Sequence, residues 1–146
     1  MGAGRNTIFR HGRVAAMTLA GLFITLTTAF AAGGACDGVK VEMTKARKDR
    51  YAPLVVSAME AKIKPAQVEF SAILENGNWS ATYVSTPASD DGMMFFHTVN
   101  GKMHFREVWG GWAEPSERPE LVAWARKLGA PVALATCFAE TVTEGE

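Results

Sequence analysis

Residues 69–84 read EFSAILENGNWSATYV and residues 93–109 read MMFFHTVNGKMHFREVW, and each stretch holds an Asn-Gly dipeptide between alternating apolar and polar residues. Alternation with period two is typical of a half-buried β-strand, because successive side chains point to opposite faces of a sheet. Asn-Gly tolerates the positive φ angles of a type I′ turn. The two stretches therefore predict two β-hairpins.

The first hairpin is predicted to turn at Asn76-Gly77. This register places apolar residues opposite one another on one face, in the pairs Leu74–Trp79, Ala72–Ala81 and Phe70–Tyr83. The other face is mainly polar and carries Glu69, Ser71, Glu75, Asn78, Ser80 and Thr82. A slip of one residue would move every apolar side chain to the wrong face, so the pattern specifies the register.

The second hairpin is predicted to turn at Asn100-Gly101. The expected pairs are Val99–Lys102, Thr98–Met103, His97–His104, Phe96–Phe105 and Met94–Glu107. The face assigned to the core holds Met94, Phe96, Met103, Phe105 and Trp109. The face assigned to solvent holds Phe95, His97, Val99, Lys102, His104 and Arg106. A polar loop at residues 85–92 connects the hairpins, so the four strands are expected to form one antiparallel meander.

Helical patterns flank the hairpins on both sides. Before them, Pro53 is expected to interrupt the charged stretch at residues 39–50, and a helix is predicted at residues 53–62. After them, a helix is predicted from a cap at Ser116 to Leu128, with Gly129 as its terminator. A shorter helix follows Pro131. The predicted fold is α+β, with an N-terminal helix, the four-stranded meander, and two C-terminal helices packed on one sheet face.

The N-terminus has the three parts of an export signal. Arg5, Arg10 and Arg13 precede an apolar run that ends in Ala-Phe-Ala at residues 29–31, which predicts cleavage after Ala31. One alternative is an uncleaved membrane anchor, since the run is long enough to cross a bilayer. Another is a lipoprotein acylated at Cys36, although Gly33 stands where an aliphatic residue is expected. We predict a periplasmic or secreted protein, which would meet the membrane only if its N-terminal segment stayed uncleaved.

The predicted organisation is a signal peptide at 1–31, a charged segment at 32–50, one α+β domain at 51–139 and an acidic tail at 140–146. Cleavage would remove three of the fifteen Lys and Arg and none of the fifteen Asp and Glu, which leaves a net charge of −3. Sequence-independent nucleic-acid binding relies on a cationic surface that releases counterions. A mildly acidic domain therefore argues against nucleic acid as a partner.

Two cysteines, Cys36 and Cys137, lie near the two ends of the predicted exported chain. Two thiols on one domain in an oxidising compartment form a disulfide in most cases. The wide separation of the two residues argues against a CxxC redox pair. We therefore predict a Cys36–Cys137 disulfide that joins the start of the domain to its last helix.

His97 and His104 are predicted to face each other across the second hairpin. Imidazoles placed in this way are able to share a Cu(II), Zn or Ni ion, but two ligands alone make a weak site. Lys102 and Arg106 lie nearby and repel a cation. An ordinary pair of surface histidines is the competing interpretation, and the metal site is kept as a hypothesis.

The candidate binding surface combines Phe95, Ile73 and Val84 on the sheet face assigned to solvent with Trp112 beyond it. No GxSxG, HExxH or phosphate-binding glycine loop is present in the sequence, and no cofactor is expected. The prediction is an exported, non-enzymatic binding or interaction module of a bacterial-type cell envelope, with an envelope protein as its partner. The alternatives are a Cu/Zn-binding periplasmic protein and a small envelope hydrolase or isomerase.

Overall fold

The computed structural model describes residues 33–144. Its helices are α1 (Lys45–Ala58), α2 (Arg118–Leu128) and α3 (Val132–Thr143), and its strands are β1 (Glu69–Asn76), β2 (Trp79–Thr86), β3 (Ser89–Val99) and β4 (Lys102–Gly110). The strands form one antiparallel sheet in the order β1-β2-β3-β4. The predicted α+β fold with a four-stranded meander is confirmed. The predicted signal peptide and its cleavage after Ala31 lie outside the described residues.

The second hairpin follows the predicted register near its turn and departs from it further along. Asn100 and Gly101 both have positive φ, as a type I′ turn requires, and the pairs from Val99–Lys102 to Phe96–Phe105 are confirmed. A β-bulge then adds one residue to β4, so that Glu107 faces Phe95 instead of Met94. The predicted Met94–Glu107 pair was therefore wrong.

The first hairpin turns one residue later than predicted. Asn76 pairs with Trp79, and Gly77 takes the positive φ of 58° at the first central position of the turn. The predicted pairs Leu74–Trp79 and Ala72–Ala81 were therefore wrong by two residues; Leu74, for example, faces Ala81. An even shift keeps each side chain on its predicted face, because the side-chain period of a strand is two. Phe70 is the exception, since a bulge at the start of β1 brings it opposite Val84.

Helices α2 and α3 cover one face of the sheet, which we call the α2–α3 face. Phe95 is fully buried there, with its ring centroid 5.0 Å from that of Phe138 and 5.5 Å from that of Trp124. The prediction that Phe95 faces solvent was wrong. The alternation was read correctly along β3, but the face that it assigned to water is the one that the C-terminal helices occupy. Trp109, which was predicted on the face of Met94 and Phe96, packs on Trp124 and Phe138 instead, because the bulge in β4 reverses its face.

Helix α1 covers part of the opposite face, which we call the α1 face. Tyr51 and Val55 of the helix pack with the buried Ile73, Val84 and their neighbours on the strands. Ile73 and Val84 were predicted to belong to an exposed binding surface, and this was wrong. Both faces of the central strands carry a hydrophobic cluster, so the sheet is the middle layer of three.

Helix α1 passes through Pro53 without a break. Thr44 caps its N-terminus by accepting a hydrogen bond from the Arg47 amide at 3.3 Å. Pro53 lies on the exposed side of the helix, where water replaces the hydrogen bond that the missing N–H cannot donate. The predicted interruption at Pro53 was therefore wrong, and α1 ends at Ala58 instead of residue 62. The helix also spans the boundary predicted between residues 50 and 51.

The C-terminal helices agree with the sequence pattern more closely. Gly129 ends α2 with a left-handed φ of 103°, as predicted. Ser116 lies in a short 3-10 turn before α2 and is not its cap. Helix α3 continues to Thr143, and its Val142 is fully buried, so the helix extends into the predicted acidic tail.

The predicted disulfide between Cys36 and Cys137 is confirmed. It fastens the segment before α1 to α3, where Cys137 is fully buried. The same segment is also held at the sheet edge, because Lys40 and Glu75 exchange two backbone hydrogen bonds of 2.9 and 3.0 Å. A disulfide of this kind indicates an oxidising environment.

Candidate functional site

A single helix cannot cover one face of a four-stranded sheet, and α1 leaves one groove beside its middle and another beside its C-terminal end. The first, which we call the polar groove, lies beside the two hairpin turns and encloses about 550 Å³. The second, which we call the apolar groove, lies between the end of α1 and β4 and encloses about 330 Å³. These two grooves are candidate sites on the α1 face.

A carboxylate, Glu75, is the centre of the polar groove. One of its oxygens accepts a hydrogen bond from the Tyr51 hydroxyl at 2.7 Å and lies 3.6 Å from the Arg50 guanidinium. The other oxygen lies 3.0 Å from the guanidinium of Arg47. The carboxylate is therefore shared by two arginines and a tyrosine, and Arg47 also lies 3.8 Å from the carboxylate of Glu42.

Arg47 has an architectural role. Its side chain is buried, and it donates hydrogen bonds to the carbonyl oxygens of Lys40 at 3.1 Å, Ile73 at 3.4 Å, and Glu42. One guanidinium thus joins the segment before α1 to strand β1. Because the side chain is enclosed, it holds the elements together and is not available to a ligand.

The Tyr51 hydroxyl is engaged as the hydrogen-bond donor to Glu75. Burial, together with the hydrogen bond to Glu75, raises the pKa of the Tyr51 hydroxyl above its ordinary value. The hydroxyl stays protonated at neutral pH and is already committed to Glu75. The Tyr51–Glu75 pair therefore resembles a structural contact more than the general acid or base that the hydrolase alternative needs.

The apolar groove is open on the side of β4. Its floor and walls are Val84, Met94, Ala58 and Met59 together with two exposed residues of β4, Phe105 and Val108. Phe105 is 40% exposed and Val108 is 46% exposed. Asp90 and Asp91 lie at the end of this groove, and both are exposed. The groove thus combines an apolar surface with a local negative charge.

The outer edge of β4 is protected even though its face is open. The bulge at Arg106 distorts the strand, and the Glu107 carboxylate accepts a hydrogen bond from the Val108 amide at 3.1 Å. Bulges and charged residues on an edge strand discourage pairing with a further strand. A partner that binds here is therefore expected to contact the side chains of β4 and not to extend the sheet.

His97 and His104 face each other, as predicted. The His97 ring also stacks on Trp79, with centroids 4.5 Å apart and planes 15° from parallel. Within residues 33–144, no group of three His, Cys, Asp or Glu side chains is placed to hold a metal ion. The histidine pair therefore supplies two ligands, and the metal site stays a prediction.

Trp112 is the one member of the predicted binding surface that is exposed, at 51%. Its ring packs on Tyr83 with centroids 4.6 Å apart, and the Tyr83 hydroxyl donates a hydrogen bond to the Gly111 carbonyl at 3.3 Å. Glu114, Glu117 and Glu144 line a cavity beside it. Phe95, Ile73 and Val84 lie in the two buried clusters, so the structure does not bring the four predicted residues together on one surface.

Sequence reasoning missed the apolar groove because it placed Phe105 in the core. Phe105 does face the same side as Met94 and Phe96, but β4 is an edge strand and Phe105 is 40% exposed there. A signal was present in the sequence, since Arg106-Glu107 interrupts the alternation and charged residues are typical of an exposed edge strand. An apolar residue on an edge strand is only partly buried unless another element covers it.

The chain matches no protein-family model, no curated protein and no solved structure. Within residues 33–144, no helix combines the length and the apolar character that crossing a membrane requires.

Proposed function

We propose that this chain is an exported, non-enzymatic binding domain of a cell envelope, and that it holds a segment of a partner protein in the apolar groove. The observation that carries the proposal is the exposure of Phe105 and Val108 above a cavity of about 330 Å³. Exposed apolar residues that flank an apolar cavity mark interaction sites, because occupation of the cavity removes their surface from water.

Export is part of the proposal. The Cys36–Cys137 disulfide agrees with an oxidising compartment, and the basic and apolar N-terminus agrees with cleavage after Ala31. An acidic mature chain is poorly suited to nucleic acid, so we expect a protein partner in the envelope. No catalytic step and no cofactor are required.

The charge of the groove specifies the partner further. Neither Asp90 nor Asp91 forms an ion pair within residues 33–144, and both carboxylates are exposed. A segment that inserts a large apolar side chain and carries a lysine or arginine beside it would satisfy both parts of the groove. An anionic membrane surface would be repelled by the same carboxylates.

Substitution of Val108 by aspartate is expected to abolish binding of such segments, because it places a charge at the apolar rim of the groove. The measurement is selection of displayed random peptides on the purified exported chain, followed by affinity determination for the selected sequences. Selected peptides should share a large apolar residue near Lys or Arg, and Val108→Asp should weaken binding by at least about tenfold, as expected for a buried contact residue.

Val99→Asp is the matched control. Val99 is 44% exposed, lies on the same hairpin and is outside both grooves, so its replacement should leave peptide affinity unchanged. Both variants change surface residues and should unfold at the same urea concentration as the parent chain. Equal losses in the two variants, or peptides without an apolar and basic pattern, would show that the apolar groove is not the site.

A second candidate function, metal binding, is favoured by one observation, the facing positions of His97 and His104. We expect a functional metal site to bind Cu(II) or Zn with a dissociation constant of about 1 μM or lower, which corresponds to a binding free energy of about −8 kcal/mol. Isothermal titration of the exported chain with each ion measures this, and His104→Ala should remove the binding. Binding that persists in the variant, or weaker binding in the parent, would eliminate this candidate.

A further inference from the structure

We infer that the polar groove is a second binding site, for a small sugar that carries a carboxylate or phosphate group. The groove encloses about 550 Å³, which is the size of a site for a small molecule. It lies beside the middle of α1, whereas the apolar groove lies beside the C-terminal end of the helix, and the two share no lining residue. The inference therefore goes beyond the proposed function and does not depend on it.

The charge of the polar groove selects an anion. Arg50 and Glu75 are the charged residues among those that line it. Arg47, behind the groove, is shared between Glu75 at 3.0 Å and Glu42 at 3.8 Å. Arg50 lies further from Glu75, at 3.6 Å, and its side chain is 56% exposed. The Arg50 guanidinium thus keeps N–H groups that Glu75 does not engage, and a guanidinium binds carboxylate and phosphate through paired hydrogen bonds.

Arg50 is held in place before a ligand arrives. Its guanidinium carbon lies 5.9 Å from the centre of the Tyr51 ring, within the range of a cation–π contact. Tyr51 is itself fixed, because it is fully buried and donates to Glu75. A preorganised cation loses less side-chain entropy on binding than a free one. This smaller loss favours binding even of a small anion that makes few contacts.

The remaining lining suits a hydroxylated ring. Asn78 and Thr98 supply side-chain groups that donate and accept hydrogen bonds, while Leu54 and Met103 supply an apolar wall. Gly77, in the first hairpin turn, has no side chain to close the rim, and a Cβ built there would meet no atom within 4 Å. An anion without hydroxyl groups would use Arg50 but would leave the rest of the groove empty.

Titration of the isotope-labelled exported chain with D-glucuronate, glucose 6-phosphate and D-glucose, followed by NMR, tests the inference. We expect at least one of the two anionic sugars to saturate the shifts of residues around the polar groove. Its affinity should exceed that of glucose by at least about fivefold, the effect of one charged contact. The preferred anionic sugar then separates a carboxylate ligand from a phosphate ligand.

Three variants complete the experiment. Arg50→Gln should lower the affinity for the anionic sugar to that of glucose, and Arg50→Lys, which keeps the charge, should recover part of it. Arg106→Gln, which removes an exposed arginine outside both grooves, should have no effect, and neither should Val108→Asp. The inference is overturned if neither anionic sugar reaches saturation at about 20 mM, if glucose binds as well, or if Arg106→Gln matches Arg50→Gln.

Discussion

Replacement of Arg47 by alanine is expected to lower the free energy of unfolding by about 3–5 kcal/mol, the usual cost of removing one partner from a buried ion pair. The variant loses the ion pair with Glu75 and the hydrogen bonds to three backbone carbonyl groups at once. The segment before α1 and strand β1 would then share fewer polar contacts. Urea denaturation followed by circular dichroism measures the change.

Lys45→Ala is the matched control for this prediction, because Lys45 lies on the same helix and also forms an ion pair, with Asp49. The Lys45 side chain is 88% exposed, so its removal should cost less than about 1 kcal/mol. Arg47→Lys should fall between the two, since an ammonium group cannot reproduce the several directed hydrogen bonds of a guanidinium. Equal stability of the Arg47→Ala and Lys45→Ala variants would contradict an architectural role for Arg47.

Loss of the Cys36–Cys137 disulfide is expected to lower the free energy of unfolding by about 2–5 kcal/mol, the range observed when native disulfides are removed. The two cysteines are 101 residues apart, so the bond restricts a long loop of the unfolded chain. It also anchors the segment that carries the carbonyl of Lys40, one of the Arg47 acceptors. Urea denaturation with and without reductant measures the effect.

The double variant Cys36→Ala/Cys137→Ala is the control that separates loss of the disulfide from any other effect of the reductant. Alanine places no polar group at the buried position of Cys137, so the variant should behave as the reduced parent chain does. Reductant should shift the urea midpoint of the parent and leave that of the variant unchanged. If the urea midpoint of the parent chain is the same with and without reductant, the expected contribution of the disulfide is refuted.

The two hairpins show what local sequence is able to specify. Asn100-Gly101 predicted its turn and the pairing as far as Phe96–Phe105, because both residues accept positive φ and nothing nearby competes. At residues 76–78 the sequence Asn-Gly-Asn offers two positions for a turn, and Gly77 takes the first central place. Both choices satisfy the alternation, so the pattern of faces could be predicted while the pairs could not.

Period-two alternation shows which residues share a face of the sheet, but it does not show whether one face or both faces are buried. Met93-Met94-Phe95-Phe96 is a continuous apolar run, typical of a strand buried on both faces, and this signal points to a three-layer arrangement. The alternation around it was read as one buried face, which left Phe95 exposed. Bulges moved Phe70 and Glu107 to other neighbours, and a bulge depends on the partner strand as much as on its own sequence.

The candidate sites were harder to predict than the fold. The apolar groove exists because α1 ends at Ala58 and leaves Phe105 and Val108 uncovered, a matter of helix length and crossing direction. The polar groove depends on Arg50, Tyr51 and Glu75 meeting across more than twenty positions of sequence. Neither arrangement follows from a motif. The disulfide was predictable because two thiols allow a single pairing.

The protected edge of β4 affects the tendency of the chain to aggregate. Cross-β fibrils grow when an unpaired strand accepts an identical strand from another molecule. Here the Val108 amide already donates a hydrogen bond to the carboxylate of Glu107, and the bulge at Arg106 interrupts the regular edge with which a fibril strand would have to pair. The chain is thereby able to display two apolar side chains to a partner while its edge resists self-assembly into amyloid.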